Sequence, residues 1–198
     1  MQFSNRLCGS ARKAMQSKKT PFFIIFFAAA LSLGAQTQDL PFVIGGDVDV
    51  EIFQYPHMVL IDTPADSFGT VCTFADSSGN YELRYGLFAQ TDYNSANIHR
   101  SFALFIIPII NSAAGFEVDL NEVELYDEQD VADEFNGDIG VSAFIPFPPS
   151  KFGGGYGYML LSFFYKINQG IVMQTILFDD IEFAGTSEFE EIFHSFSF

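Results

Sequence analysis

The sequence predicts an all-β fold, an antiparallel β-sandwich or jelly roll, from three observations. From residue 42 onward, apolar residues mostly alternate with polar ones or form short runs rich in β-branched and aromatic types, which is typical of strands. Two pairs of such segments flank short turn sequences, as the strands of hairpins do. No stretch rich in Pro, Gly or Ser divides residues 36–198, so we expect one β-sandwich domain over this range.

The clearest predicted hairpin covers residues 68–89, with the turn "DSSGN" at 76–80 made of residues that tolerate tight backbone geometry. One face of its first strand carries Phe68, Thr70, Cys72 and Phe74. One face of the return strand carries Tyr81, Leu83, Tyr85, Leu87 and Ala89. Cys72 is therefore predicted to be a small buried apolar residue rather than a reactive thiol.

Three further segments complete the predicted sheet. "SFALFIIPII" at 101–110 is continuously apolar, which favours a strand buried on both faces, with Pro108 at an edge or a bulge. "FEVDLNEVELY" at 116–126 changes phase near Asn121, which indicates two short strands or, alternatively, one helix. Residues 156–167 and 171–178 flank Asn168-Gln169-Gly170 and predict a second hairpin.

The C-terminal segment predicts a short amphipathic helix that covers the sheet. Its apolar residues recur at helical spacing: Phe189, Ile192, Phe193 and Phe196. Thr186 or Ser187 is suited to the N-cap, and Glu190 and Glu191 fall in the first turn, where acidic residues are favourable. The alternative is a last strand that ends at Phe198.

Residues 1–35 are predicted to be a signal peptide. Five basic residues precede an apolar run from Phe22 to Leu33, and small residues follow it, as in secretory signals. Met15 is an alternative start of the same segment. The apolar run is shorter than the ~20 residues that a membrane span needs. We therefore expect a protein of the periplasm, the cell surface or the extracellular medium, without a stable transmembrane helix after signal removal.

The charge balance excludes nucleic acid as a partner. The whole chain has a formal net charge of −16. Residues 36–198 contain all 25 acidic residues but only four basic ones, which gives 4 − 25 = −21. Binding of nucleic acid depends on Lys and Arg that neutralise phosphates. Such an excess of carboxylates is tolerated where salt screens it or divalent cations bind it.

No motif in the sequence supports a specific enzymatic reaction. "FVIGGDVDVEIFQYP" at 42–56 resembles the activated N-terminus of trypsin-like proteases, but Val43 replaces the basic residue at the cleavage point and no Gly-Asp-Ser-Gly sequence is present. The glycine-rich segment at 151–158 lacks the Lys-Ser/Thr ending of a phosphate-binding loop. No histidine pair or cysteine pair has the spacing of zinc ligands. A non-catalytic protein is therefore expected.

Calcium is the cofactor that the composition predicts, because it binds several carboxylate and carbonyl oxygens. One acidic group is Asp47, Asp49 and Glu51, which alternate along a predicted strand. The candidate calcium ligands that we single out belong to two other groups: Asp127, Asp130, Asp133 and Asp138 in one, and Asp179 and Asp180 in the other. A solvated acidic loop is the alternative for residues 127–138.

"ILFDDIEF" at 176–183 resembles a late strand of jelly-roll carbohydrate-binding modules. The resemblance implies that Asp179 or Asp180 helps to hold a structural calcium and that exposed Tyr or Phe rings stack on sugars. The predicted function is thus an exported, non-catalytic binding module for an extracellular glycan or protein. The alternatives are a small outer-membrane β-barrel, which Phe198 and the alternation at 195–198 suggest, and an unrecognised secreted hydrolase.

Overall fold

The computed structural model of the chain describes residues 38–40, 48–63, 68–89 and 98–198. The predicted signal peptide, the Ile44-Gly45-Gly46 motif and Asp47 lie outside these residues. The strands are β1 Gln38–Leu40, β2 Glu51–Gln54, β3 Met58–Ile61, β4 Thr70–Asp76, β5 Tyr81–Ala89, β6 Val123–Leu125, β7 Ile139–Pro146, β8 Tyr158–Lys166, β9 Gly170–Phe178 and β10 Phe196–Ser197. The α-helices are α1 Ile98–Ala114, α2 Glu128–Phe135 and α3 Ser187–Phe193.

Seven strands form one antiparallel sheet in the order β3-β4-β5-β9-β8-β7-β6. Two meanders, β3 to β5 and β6 to β9, meet where β5 pairs with β9 along nine residues, from Tyr81↔Phe178 to Ala89↔Gly170. The chain between β5 and β6 therefore has to pass from the middle of the sheet to its edge. Helix α1 lies in this connection and packs on the face of β7 to β9, which we call the α1 face.

Helix α1 buries one stripe of its surface and leaves the other partly exposed. The buried residues Phe102, Ile106, Ile110 and Ala113 are spaced three or four apart, as one face of a helix requires. Pro108 lies inside the helix but on its exposed side. Leu104, whose carbonyl group Pro108 cannot bond, is itself 65% exposed, so water can replace the missing hydrogen bond.

The opposite face of the large sheet is covered by the small sheet β1-β2-β10 and by α2 and α3. Phe135 of α2, Phe193 of α3 and Phe196 of β10 surround the ring of Phe164 at centroid distances of 4.1–6.2 Å. Buried hydrogen bonds add to this packing. Gln174 donates to the carbonyl groups of Ile192 and Phe193, both at 3.1 Å, so α3 is fixed to β9 by polar as well as apolar contacts.

The prediction of a mostly β, antiparallel protein is confirmed. The hairpins β4–β5 and β8–β9 and the helix α3 lie where the sequence predicts them, and Thr186 is the N-cap of α3, with its hydroxyl accepting the N–H of Phe189 at 3.2 Å. Both alternatives for the C-terminus are present, because the short strand β10 follows α3.

Other predictions are wrong. Residues 101–110 form part of helix α1 rather than a strand, because its exposed side is also apolar and hides the helical periodicity. The predicted jelly roll is therefore not observed: the small sheet and two helices cover one face of the large sheet, and a helix covers the other. In residues 116–126, only β6 is a strand, preceded by a 3-10 helix at Leu120–Glu122. Residues 127–138 are not a loop, since they contain α2.

Cys72 is buried, as predicted, with 1% of its surface exposed. Burial raises the pKa of its thiol to about 12, so the thiolate that reacts with oxidants and metals is disfavoured. Phe68, which was predicted to share the face of Cys72, packs instead on the α1 face. The reason is an irregularity in the β4–β5 register between Thr70 and Cys72, which reverses the side-chain alternation.

Candidate binding surface

The loop between β7 and β8, residues 147–157, presents an exposed aromatic side chain on an unfavourable backbone conformation. Phe147 has φ of +51° and 72% of its surface is exposed. The other non-glycine residues with positive φ in the described part of the chain, Asn136 and Asn168, are of a type that tolerates this region. For a bulky residue it costs about 1–2 kcal/mol, so surrounding contacts have to hold Phe147 in place.

Three anchors fix this loop: Ser150, Asp179 with Gly157, and Arg84. Ser150 donates a hydrogen bond to the carbonyl group of Ala113 at the end of α1. Asp179, which follows β9, accepts the N–H of Gly157 at 2.7 Å. Phe147 in turn donates its own N–H to the carbonyl group of Gly157 at 2.7 Å. The backbone of Phe147 is thus tied through Gly157 to the end of β9.

The third anchor is Arg84 of β5, which is 6% exposed. It donates to the carbonyl group of Phe152 at 2.6 Å and to the carboxylate of Glu82 at 2.5 Å. Its guanidinium carbon lies 4.9 Å from the centroid of the Phe152 ring. Gly153 allows the loop to close tightly, because a Cβ there would lie 2.6 Å from the Cγ of Pro148. The loop is therefore packed and bonded at several points, which explains how it holds a strained residue.

Phe147 belongs to a small surface cluster of rings that we call the aromatic platform, formed by Phe144, Phe147 and Tyr158. The ring of Tyr158 lies 5.6 Å from that of Phe147 and 5.8 Å from that of Phe144. It also stacks at 5.6 Å on the buried ring of Phe178. The platform thus rests on the core, and its exposed end is Phe147.

Three exposed carboxylates follow β9 beside the platform, and we call them the acidic rim: Asp179, Asp180 and Glu182. Asp180 caps the 3-10 helix Ile181–Gly185 by accepting the N–H of Glu182 at 2.9 Å. Asp179 also acts on Tyr156, which packs on the α1 face. Burial raises the pKa of its phenol, and the nearby carboxylates of Glu82 and Asp179 raise it further, against a lowering effect of Arg84. The surface next to the platform is therefore negatively charged.

The predicted calcium ligands are divided between the two ends of the large sheet. Asp138 precedes β7 and accepts the N–H of Ile167 at 2.6 Å, whereas Asp179 and Asp180 follow the other end, at β9. Strand β9 has nine residues from Gly170 to Phe178, and its eight steps of ~3.3 Å each place these ends about 25 Å apart. The two predicted groups therefore cannot share one ion.

The aspartates of residues 127–133 belong to helix α2. Asp127 is its N-cap and accepts the N–H of Gln129 at 2.9 Å. Asp133 accepts the side-chain amide of the same Gln129 at 2.9 Å, and Asp130 lies in the first turn. Across the described ranges, no three carboxylate, histidine or cysteine side chains converge in a way that could hold a metal ion. Calcium binding by these six aspartates stays a prediction.

A shallow groove of about 340 Å³ lies at the Asp138 end of the sheet. His99, Glu128, Asp138 and Ile167 are among its lining residues. The imidazole of His99 is 3.4 Å from the carboxylate of Glu128, with both side chains mostly exposed. Exposed pairs of this kind contribute little binding energy, so the groove is a weaker candidate than the aromatic platform.

His194 and Ser195 are adjacent in sequence but do not form a nucleophile and base. The ring nitrogens of His194 lie 2.8 Å from the carbonyl oxygen of Glu190 and 2.8 Å from the carboxylate of Glu134. The hydroxyl of Ser195 is buried and lies 2.5 Å from that of Tyr85. These contacts join α3 to α2 and to the sheet, and they do not orient Ser195 for catalysis.

Reasoning from the sequence located one part of this surface. The predicted strand at 171–178 ends directly before Asp179 and Asp180, and these residues do follow β9. Phe147 was missed, because a positive φ has no local signal at a phenylalanine. The prolines around it, Pro146, Pro148 and Pro149, are the one feature that marks residues 146–149 as a constrained turn.

The chain shares its fold with a known small β-rich protein. It is similar to cyanobacterial PsbP (CyanoP) from Synechocystis sp. PCC 6803, known from a solution structure, with a TM-score of 0.51 and 14% sequence identity. The match covers 85% of this chain and 96% of that one. At this identity the likeness shows the fold alone. No family model matches the sequence, and no curated protein does. No helix in the described ranges is long and apolar enough to cross a membrane.

Proposed function

We propose that the chain is an exported, non-catalytic protein that binds a partner protein through the aromatic platform. The observation that carries the proposal is Phe147, a largely exposed ring that the fold holds at a strained backbone conformation. Such a residue adds little to stability, because its ring is largely exposed and its positive φ opposes folding. Strained backbone and exposed aromatic side chains are both concentrated at binding sites.

The geometry of the platform supports protein binding. Aromatic residues dominate the energetics of protein interfaces, where they insert into pockets of the partner. Phe147 projects from a loop that is fixed by Ser150, Arg84 and Asp179, so little conformational freedom is lost when it binds. Export is supported by the pattern of residues 1–35, and the lack of a reaction-specific motif supports a non-catalytic role.

A glycan is the second candidate ligand, and it would use the same side chains. Sugar rings stack on exposed aromatic side chains, and their hydroxyl groups donate to carboxylates such as Asp179 and Asp180. The lack of tryptophan in the chain and the 72% exposure of a single ring, Phe147, favour a protein.

Site-specific photocrosslinking tests the proposal. The photoreactive analogue p-benzoylphenylalanine is placed at position 147 and, as a matched control, at position 116, where Phe116 is also exposed. In the cells that produce and export the protein, we expect one dominant protein adduct from position 147 and none of that mass from position 116. A pattern common to both positions would contradict the proposal, and an adduct that glycosidases shift would favour the glycan.

A further inference from the structure

We infer that the partner presents an arginine side chain, which stacks on the aromatic platform and pairs with the acidic rim. This inference rests on the proposed function and names the chemistry of the group that the site recognises. A guanidinium is planar, always charged and able to donate several hydrogen bonds at once. It can therefore stack on the face of a ring and form an ion pair with a carboxylate at the same time, whereas a sugar carries no charge and an apolar side chain donates no hydrogen bond.

The surface beside the platform carries a cluster of negative charge. Asp179, Asp180 and Glu182 are all exposed within four residues, and none of them forms an ion pair with a described residue. Asp179 and Asp180 each accept one backbone N–H through Oδ1, which fixes the carboxylates in position. An ionised carboxylate has about four acceptor sites, so each remains able to accept hydrogen bonds from a partner.

No described lysine or arginine forms an ion pair with the rim, although Lys151 is exposed in the same loop as Phe147. Of the four basic residues after residue 35, Arg84 is committed to Glu82 and to the carbonyl group of Phe152. Lys166 lies at the other end of the sheet, where it donates to Asn136. With a formal charge of −21 over residues 36–198, attraction of a basic partner is favoured over the whole surface and is strongest where carboxylates cluster.

The interior of the protein already contains the proposed arrangement. The Arg84 guanidinium lies over the Phe152 ring and bonds the Glu82 carboxylate at 2.5 Å. On the surface, Phe147 and Tyr158 supply the rings and Asp179 supplies the carboxylate, joined to Phe147 through the hydrogen bonds of Gly157. A guanidinium from the partner would complete a second such set.

The experiment compares two capped twelve-residue peptides, (Gly-Ser-Arg)4 and the same sequence with citrulline, which keeps the shape of arginine without its charge. Binding to the purified protein is followed by two-dimensional NMR of the amide groups. We expect the arginine peptide to shift the signals of residues 144–158 and 179–182. We expect it to bind about tenfold more tightly than the citrulline peptide, because a cation–π contact and ion pairs together contribute about 1–2 kcal/mol.

Variants then separate the ring from the charge. Phe147→Leu keeps an apolar side chain but has no ring face, and we expect about a fivefold loss of affinity. Asp179→Asn with Asp180→Asn keeps the acceptors for Gly157 and Glu182 and should cause a similar loss. The matched control Glu117→Gln with Glu122→Gln removes two exposed charges that are not part of the acidic rim and should change the affinity less than twofold. Amide spectra confirm that each variant is folded.

Three results would overturn the inference: equal binding of both peptides, no binding of the arginine peptide at millimolar concentration, or unchanged binding by Phe147→Leu. Equal binding of both peptides at residues 144–158 would leave the platform as a binding surface without a preference for cations. The proposed function fails separately, when the photocrosslinks from positions 147 and 116 do not differ.

Discussion

At the scale of single residues, Phe147 combines two properties that stability alone does not explain. Its side chain is 72% exposed, so it contributes little hydrophobic burial to folding. Its positive φ opposes folding for any residue with a Cβ. The neighbouring contacts of Ser150, Arg84 and Asp179 stabilise the loop regardless of which side chain is present at position 147. The proposed role in binding supplies a physical reason to have phenylalanine at this position.

This reasoning predicts the order of stability of two variants. Phe147→Gly should be more stable than Phe147→Ala by about 1 kcal/mol, because glycine adopts positive φ without steric cost, whereas alanine does not. Both variants lose the same contact with Tyr158, so the difference isolates the backbone. Urea unfolding of the two variants measures it.

Phe116 provides the matched control, since it is exposed and its φ is not positive. At this position the order should reverse, with glycine less stable than alanine by roughly 0.5–1 kcal/mol. If alanine were the more stable variant at position 147 as well, Phe147 would not be strained, and the proposed role of the platform would lose its main support.

At the scale of elements, the N-cap residue Thr186 stabilises the start of α3. Thr186 accepts the N–H of Phe189 at 3.2 Å and donates to the carbonyl group of Phe183 at 2.8 Å, so it joins the 3-10 helix to α3. We expect Thr186→Ala to lower the free energy of unfolding by about 1 kcal/mol. Ser187→Ala, one residue later and also exposed, should change it by less than about 0.5 kcal/mol. Equal effects in urea unfolding would show that the cap does not contribute.

The elements that could be predicted from the sequence are those with local signals. The turn residues of the β4–β5 and β8–β9 hairpins and the cap of α3 are local, so these elements lie where they were predicted. Helix α2 also has local signals that were read as an acidic loop: Asp127 as N-cap, acids in the first turn, and Val131 and Phe135 four residues apart. The six acidic residues at 127–138 nevertheless favour the prediction of a solvated loop.

Helix α1 could not be separated from a strand by its apolar pattern. Its exposed side carries Leu104, and Ile107 and Ile109 are half-buried, so the run is apolar at nearly every position. The helix is favoured because this segment connects β5, in the middle of the sheet, to β6 at its edge. That requirement is a property of the strand order, which depends on long-range pairing of β5 with β9. The same holds for the platform, whose three rings come together only once β7 pairs with β8.

At the scale of the whole molecule, burial of phenols and a thiol makes the fold sensitive to alkali. Burial raises the pKa of Cys72 from 9.0 to about 12, and it also raises the pKa values of Tyr81, Tyr85 and Tyr126. In each case the folded pKa lies above the unfolded one. The unfolded chain therefore loses protons first as the pH rises, and this shifts the equilibrium toward unfolding.

Below about pH 9 we expect these groups to make a constant contribution to the free energy of unfolding. Above about pH 9 this free energy should fall, and it should fall more steeply beyond about pH 10, where the tyrosines of the unfolded chain ionise. Urea unfolding at a series of pH values measures the slope. In Cys72→Ala the decline between about pH 9 and pH 10 should be shallower, because the thiol contribution is absent. A stability that rises over this range would contradict the burial of these side chains.

The acidic excess leads to the last prediction, on salt and calcium. With a formal charge of −21 over residues 36–198, self-repulsion opposes the compact state. The melting temperature should therefore rise between about 0.01 M and about 1 M NaCl, as the Debye length falls from ~30 Å to ~3 Å. A flat or falling curve would mean that the charges are already paired or well separated.

Calcium is then compared with magnesium at equal ionic strength. A specific site among the six predicted aspartates stabilises the native state beyond screening, so calcium should raise the melting temperature more than magnesium does. Two double variants identify the group responsible: Asp179→Asn with Asp180→Asn, and Asp127→Asn with Asp133→Asn. Asparagine at positions 127, 179 and 180 can still accept the backbone N–H that the aspartate accepts. Equal shifts with both ions would show that the aspartates only solvate and cap the fold. The acidic rim would then remain free for the cationic group of a partner.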